Sequence, residues 1–151
     1  MIKIALYQPD IAGNVGTIIR TCVGFDCELH IIEPCGFPFD FQRIKKSALD
    51  YIFMAKITRH NSFEQFLQDV VRANKSRLIL ASTKSAKNYL DFKFQPNDVI
   101  MFGRESSGVP ESVFKSSDHN VFIAMKNNLR CFNVAISCGI ITAKAIADIN
   151  Y

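Results

Sequence analysis

Apolar positions along this chain come in short runs separated by stretches with helical spacing. Residues 2–7 and 29–32 read as buried strands, and residues 14–24 between them suit a helix capped by Asn14. The chain therefore opens as β-α-β. Ser62 stands as an N-cap before Phe63, Phe66, Leu67, Val70 and Val71, whose spacing predicts a helix to residue 73, followed by a strand over 78–81. Residues 98–102 and 121–125 predict two further strands. A short helix should start at Pro110, whose missing N–H suits the first helical position. Such alternation predicts an α/β fold, a mainly parallel sheet with helices on both faces.

The last predicted helix, residues 132–149, does not keep its apolar residues to one stripe. Val134, Ile141 and Ala145 fall on one side and Ile136, Ile140 and Ala143 on another, while Gly139 permits a close backbone approach. One face belongs on the sheet. The pattern leaves two equal readings for the other, further core in a monomer or contact with a partner subunit.

Composition narrows the picture. A chain of 151 residues, 48% hydrophobic and without a linker or internal repeat, predicts a single domain. A net charge of +4 suits an anionic partner without demonstrating one. The five cysteines are odd in number and irregularly spaced, with no C-x-x-C pair, and predict reduced thiols in a cytoplasmic protein. The longest mostly apolar run is broken by Asn133, Ser137, Thr142, Lys144 and Asp148, so a membrane span is not expected. The three histidines lack metal-ligand spacing.

The chemistry is expected in two loops near the C-terminus. Residues 101–110 read MFGRESSGVP, an apolar strand running into a Gly-rich turn, and a second polar loop spans residues 126–130. A phosphate-binding P-loop needs Lys and then Ser or Thr after its last glycine, but Gly108 is followed by Val109 and Pro110. Glu105 would repel a polyphosphate yet can accept hydrogen bonds from ribose hydroxyls or an amino group. These residues point to a nucleoside ligand without a phosphate chain. No G-x-G-x-x-G follows the first strand, which argues against a dinucleotide-dependent oxidoreductase.

Three motifs, in this order, carry a family likeness: Asn14-Val-Gly-Thr-Ile-Ile-Arg20-Thr21, Phe102-Gly-Arg-Glu-Ser-Ser-Gly-Val-Pro110, and Ile123-Ala-Met followed by Arg130-Cys-Phe-Asn-Val-Ala135. Together they resemble the SpoU-TrmD (SPOUT) superfamily of S-adenosylmethionine-dependent RNA methyltransferases, over nearly the whole chain. Leu6-Tyr-Gln-Pro9, His30-Ile-Ile-Glu-Pro34, Leu49-Asp-Tyr51 and Thr58-Arg-His60 further resemble its minimal branch, the 2′-O-methyltransferases of the wobble cytidine or uridine of tRNA.

The resemblance implies a C-terminal trefoil knot, with residues 126–130 tucked under the 103–108 loop, and a homodimer without an added RNA-binding domain. It implies that Ala81, Gly103, Ile123 and Cys131 hold S-adenosylmethionine, with Arg20 and Asn14 in catalysis and Glu105, Arg130 and Asn133 in support. Because guanidinium stays protonated, Arg20 is expected to stabilise a developing ribose alkoxide rather than act as a base. The sulfonium methyl is already activated, so no metal is expected. His60 is expected near the substrate. Arg104 and Arg130 are expected either on RNA phosphate or bracing the loop, and Arg43, Lys45 and Lys46 either on the tRNA backbone or solvated. Cys131 stands where the family commonly has serine, and Ala124 where proline is common. These departures motivate the alternative of a non-catalytic RNA-binding dimer, and the same chemistry at another tRNA or rRNA ribose stands as a second alternative.

Overall fold

Six short strands pair in parallel in the order β3-β2-β1-β5-β4-β6 in the computed structural model, which describes residues 1–126 and 130–150. They are β1 (Lys3–Tyr7), β2 (Glu28–Ile32), β3 (Ile57–His60), β4 (Leu78–Ala81), β5 (Val99–Phe102) and β6 (His119–Val121). Nearly every residue of β1, β2 and β5 is buried, because helices cover both faces of the sheet.

The period-two alternation of each strand divides its side chains between two cores. Ile4, Leu6, Leu29, Ile31, Ile100 and Phe102 point to one face, where they meet α1 (Ala12–Gly24), α2 (Phe41–Ala48) and α5 (Val134–Asn150). Ala5, Tyr7, Leu80, Val99 and Met101 point to the other. There they meet α3 (Phe63–Phe66), which widens into a π-helical turn over Leu67–Arg72, and α4 (Glu111–Lys115). Helices α1 and α2 pack closely because position 16 is glycine. A Cβ there would lie 1.9 Å from Ser47 Oγ and 2.7 Å from the Ile44 carbonyl oxygen.

The predicted α/β architecture is present, with corrections at the element ends. Helix α1 begins at Ala12 after an extended Ile11, so Asn14 lies inside the first turn and does not cap it. Its side chain is engaged elsewhere. The strand expected at 121–125 is β6, which starts earlier because Asp118 opens the ladder: its carboxylate accepts from Leu78 N at 2.7 Å and its N–H donates to the Leu78 carbonyl at 2.9 Å. Phe122 adds only an isolated bridge to Asn88. Helix α5 begins at Val134, and Asn133 Oδ1 accepts from Ala135 N at 2.8 Å as its N-cap. Ser62 caps α3 as expected, accepting from Gln65 N at 3.1 Å.

Helix α2, strand β3 and the short 3-10 turns Leu49–Phe53 and Tyr89–Asp91 escaped the sequence reading. Helix α2 is eight residues long and mostly polar, burying only Ile44 and Ala48, and β3 is a four-residue, partly exposed strand at the sheet edge, so neither shows an apolar run.

Candidate functional site

The strand order reverses between β1 and β5: β2 and β3 extend the sheet on one side, β4 and β6 on the other. Loops leaving the carboxyl ends of the strands diverge at such a point and open a crevice. A cleft of about 490 Å³ lies on the β5 side of that point, over the carboxyl ends of β5, β4 and β6, and Ala81, Gly103, Ile123 and Cys131 all line it. Leu80, Phe102 and Val134 add apolar wall, while Asn14, Glu105 and Asn133 add polar rim. Ser82, Thr83 and Lys84 also line the cleft. The sequence reading missed them, and their only signal was adjacency to Ala81 after a predicted strand.

The Gly-rich turn is closed by paired backbone bonds, Arg104 N to Gly108 O at 3.0 Å and Gly108 N to Arg104 O at 2.9 Å. A Cβ on Gly103 would lie 2.7 to 2.8 Å from the Gly108 backbone, and Gly108 itself has φ +65°. Glycine is required at both for this closure. A second layer of bonds straps the turn to the loop between β1 and α1. Asp10 accepts from Ser106 N at 3.0 Å and Ser106 Oγ at 2.7 Å, and those bonds hold its carboxyl below the usual range.

Glu105 uses both carboxylate oxygens within the site. Oε2 accepts from Asp10 N at 2.8 Å and Oε1 from Asn14 Nδ2 at 3.0 Å. Asn14 Oδ1 in turn accepts from Asn133 Nδ2 at 3.0 Å, while the other end of Asn133 caps α5. Three of the expected site residues therefore form one chain of hydrogen bonds linking β5, α1 and α5. Asp10 and Ser106 complete it, and nothing in their spacing marks them.

The remaining expected residues divide, with Arg104 lining the cleft and Arg20, His60 and Arg130 outside it. Arg104 braces the loop: its guanidinium donates to Gln8 Oε1 and lies 5.1 Å from the centre of the Tyr7 ring. Arg130 is exposed and does not line the cleft. Arg20 is exposed on α1, also away from the cleft, with its guanidinium carbon 5.7 Å from the centre of the Tyr51 ring. His60, expected near the substrate, is 4% exposed and lies 3.1 Å from His30 Nδ1 under Phe66. Burial pushes the pKa of His30 down to about 4 and lowers that of His60. The pair is core. The segment expected to form the knot, residues 126–130, lies partly outside the described residues, since Asn127, Asn128 and Leu129 are not among them.

The arrangement suits a nucleoside: apolar walls for a base, backbone N–H and C=O groups of tight turns for its edge, and polar side chains at the rim. Among the described residues no three His, Cys, Asp or Glu side chains are grouped to hold a metal ion, and no helix is long and apolar enough to cross a membrane.

A protein from Beijerinckia indica subsp. indica named tRNA (cytidine(34)-2′-O)-methyltransferase is 39% identical over 146 residues, covering 97% of this chain and 91% of its own. A solved structure from work on the 2-OH methylation of C/U34 on tRNA superposes with a TM-score of 0.92 at 30% identity, covering 98% of this chain and 95% of that one. The SpoU methyltransferase AviRb of Streptomyces viridochromogenes, in complex with the cofactor AdoMet, shares the fold at a TM-score of 0.86 and 20% identity, covering 96% of this chain and 59% of that one. Residues 1–143 match the SpoU rRNA Methylase family. With the cleft over the carboxyl ends of β5, β4 and β6 and a match across most of its length, the chain belongs to the SpoU rRNA methylase family.

Proposed function

We propose that this chain transfers a methyl group from S-adenosylmethionine to the ribose 2′-oxygen of nucleotide 34, the wobble cytidine or uridine of tRNA. The observation that carries this reading is the nucleoside-sized cleft at the carboxyl ends of β4 and β5, in a chain similar over its length to C34 methyltransferases. The donor fits the residues present. Gly103 leaves the turn open to a base edge, Ala81 and Ile123 give a small and an apolar wall, and Cys131 stands at the rim. Cys131 is a weaker hydrogen-bonding group than serine, so its backbone carries that contact.

When bound, S-adenosylmethionine supplies an activated sulfonium methyl. The chain must then hold the ribose in line and ease loss of the 2′-hydroxyl proton. Arg20 supplies a fixed positive charge for the oxygen as negative charge develops on it. Asn14, held between Glu105 and Asn133, keeps the rim in register with the turn.

Arg20 does not line the cleft of its own chain, so it acts in a homodimer, facing the cleft of the partner subunit. The outer side of α5 supports this: Ile136, Ala143 and Ala147 are exposed along one face, and Ile11 and Phe132 are exposed at the cleft. A single methyltransferase domain, closed by a C-terminal knot and working in the cytoplasm, completes the reading.

The test is incubation with tritiated S-adenosylmethionine and unmodified total tRNA, with the labelled nucleotide then mapped. Label on the ribose of nucleotide 34 is expected. Label on a base or on another ribose would replace the proposed target, and sedimentation as an active monomer would remove the shared site.

A further inference from the structure

Five large apolar side chains stand exposed in one short stretch: Phe41, Leu49, Tyr51, Phe53 and Met54, with Phe53 at 75%, Met54 at 68% and Phe41 at 60%. Single exposed apolar residues need no explanation, whereas a contiguous group marks a binding surface. Helices α1 and α2 both pack on the Leu49–Phe53 turn, and cations lie over two of its rings. Lys45 Nζ lies 5.3 Å from the centre of the Phe53 ring, and Phe41 sits one turn before Lys45 on α2. On the neighbouring helix, Arg20 lies over Tyr51.

Arg43 and Lys46 are exposed beside them, and neither has a carboxylate at ion-pair distance among the described residues. Lys45 has only exposed Asp50, at 3.9 Å. Apolar burial by a protein partner would strand these charges without water. A polyanion carrying flat, unstacked rings satisfies both features at once, since bases stack on exposed aromatic faces while phosphates meet the cations.

We propose that this surface is the docking platform for the single-stranded loop of the RNA substrate, with Tyr51 and Phe53 as stacking faces and Arg43, Lys45 and Lys46 as phosphate contacts. The inference rests on the function proposed above. If Arg20 meets the reacting ribose, the adjoining nucleotides come onto the rings beside it. The cleft then holds the donor and this patch holds the acceptor strand.

The experiment measures anisotropy of a labelled tRNA anticodon stem-loop with wild type, Phe53→Ala, and the double variant Lys45→Ala/Lys46→Ala. Sedimentation, S-adenosylmethionine calorimetry and methylation at saturating tRNA accompany it. Loss of one stacking face should weaken RNA binding roughly 5- to 100-fold. The double variant should reduce the slope of log affinity against log salt by about 1 to 1.5. Donor affinity and the rate at saturating RNA should stay near wild type in both.

Wild-type RNA affinity in both variants would overturn the proposal. So would a variant that sediments as a monomer where wild type is a dimer, since that assigns the patch to a subunit contact. A wild-type chain that binds the stem-loop through these residues without methylating it sinks the function and leaves the platform standing. One that binds no RNA sinks both.

Discussion

The cleft proposed for the donor is tied together by its own loops, whereas the surface around Arg20 presents side chains with few fixed partners. In the cleft, Asp10, Asn14, Glu105, Ser106 and Asn133 are joined by hydrogen bonds of 2.7 to 3.0 Å, and Gly103 meets Gly108 across a closed turn. Around Arg20 the contacts are cations over rings at 5 to 6 Å, between exposed groups. Pre-organisation of this kind favours a small ligand that always arrives in one shape. An open, rotamer-rich surface suits a large, flexible partner that brings its own order.

That contrast is sharpest at Arg20. Arg20→Ala is expected to keep S-adenosylmethionine affinity but lose methyl transfer by about 10² to 10³ fold, the range for removing one charge-stabilising donor. Arg20→Lys should recover only part, because the ammonium keeps the charge without the planar fork. Calorimetry and single-turnover methylation separate the two readouts. Unchanged transfer in Arg20→Ala would return the residue to a plain helix surface.

The converse variant attacks the cleft. Gly103→Ala forces a methyl group to 2.7 to 2.8 Å from the Gly108 backbone, so the turn must shift. At an overpacking cost of about 1 to 3 kcal/mol, donor affinity should fall roughly 5- to 150-fold by calorimetry, with stem-loop binding retained. Equal loss of both ligands would erase the division between the regions.

Asn133 permits a finer cut, because its two ends do different work. Asn133→Ala should cost about 1 kcal/mol in chemical denaturation through loss of the α5 cap. Asn133→Asp should keep the cap, since a carboxylate accepts from Ala135 N, while losing the donor to Asn14. Its stability should stay nearer wild type while its methylation falls. If both variants lose stability equally, the bond to Asn14 matters as much as the cap.

A separate effect, on stability alone, belongs to the β2–β3 edge. His30 is held neutral by burial with a pKa near 4, below its ordinary value of 6.5, so the unfolded chain takes the proton first as pH falls. Stability should be level above about pH 6.5 and decline from there toward pH 4, by at most ~1.4 kcal/mol per pH unit for one imidazole. Urea midpoints at pH 7 and pH 5 check it. A flat response would contradict a neutral His30 in the core.

Much of this molecule was legible along the chain. Strands β1, β2, β4 and β5 are short, mostly apolar runs, since a parallel sheet covered on both faces buries nearly every side chain. Ser62 announced its helix because a cap is a local hydrogen bond. Ala81, Gly103, Ile123 and Cys131, expected from their motifs to share a site, do gather around one cleft.

The rest depended on partners distant in sequence. Asn14 has the local profile of a cap, yet its amide is spent on Glu105, 91 residues away, and on Asn133, 119 residues away. His60 looked like a polar residue in a substrate motif, but parallel pairing of β2 with β3 sets it against His30 in the core. Arg20 lay in a motif expected to carry catalysis, and only the packing of α1 shows that it lies outside its own cleft and over Tyr51. The sequence by itself determined the alternation of elements and the residue types at the turns, because those follow from local periodicity and backbone sterics. Tertiary structure alone decided which polar groups meet and which stay exposed, because hydrogen-bond partners and burial are set by where the sheet brings separate segments together.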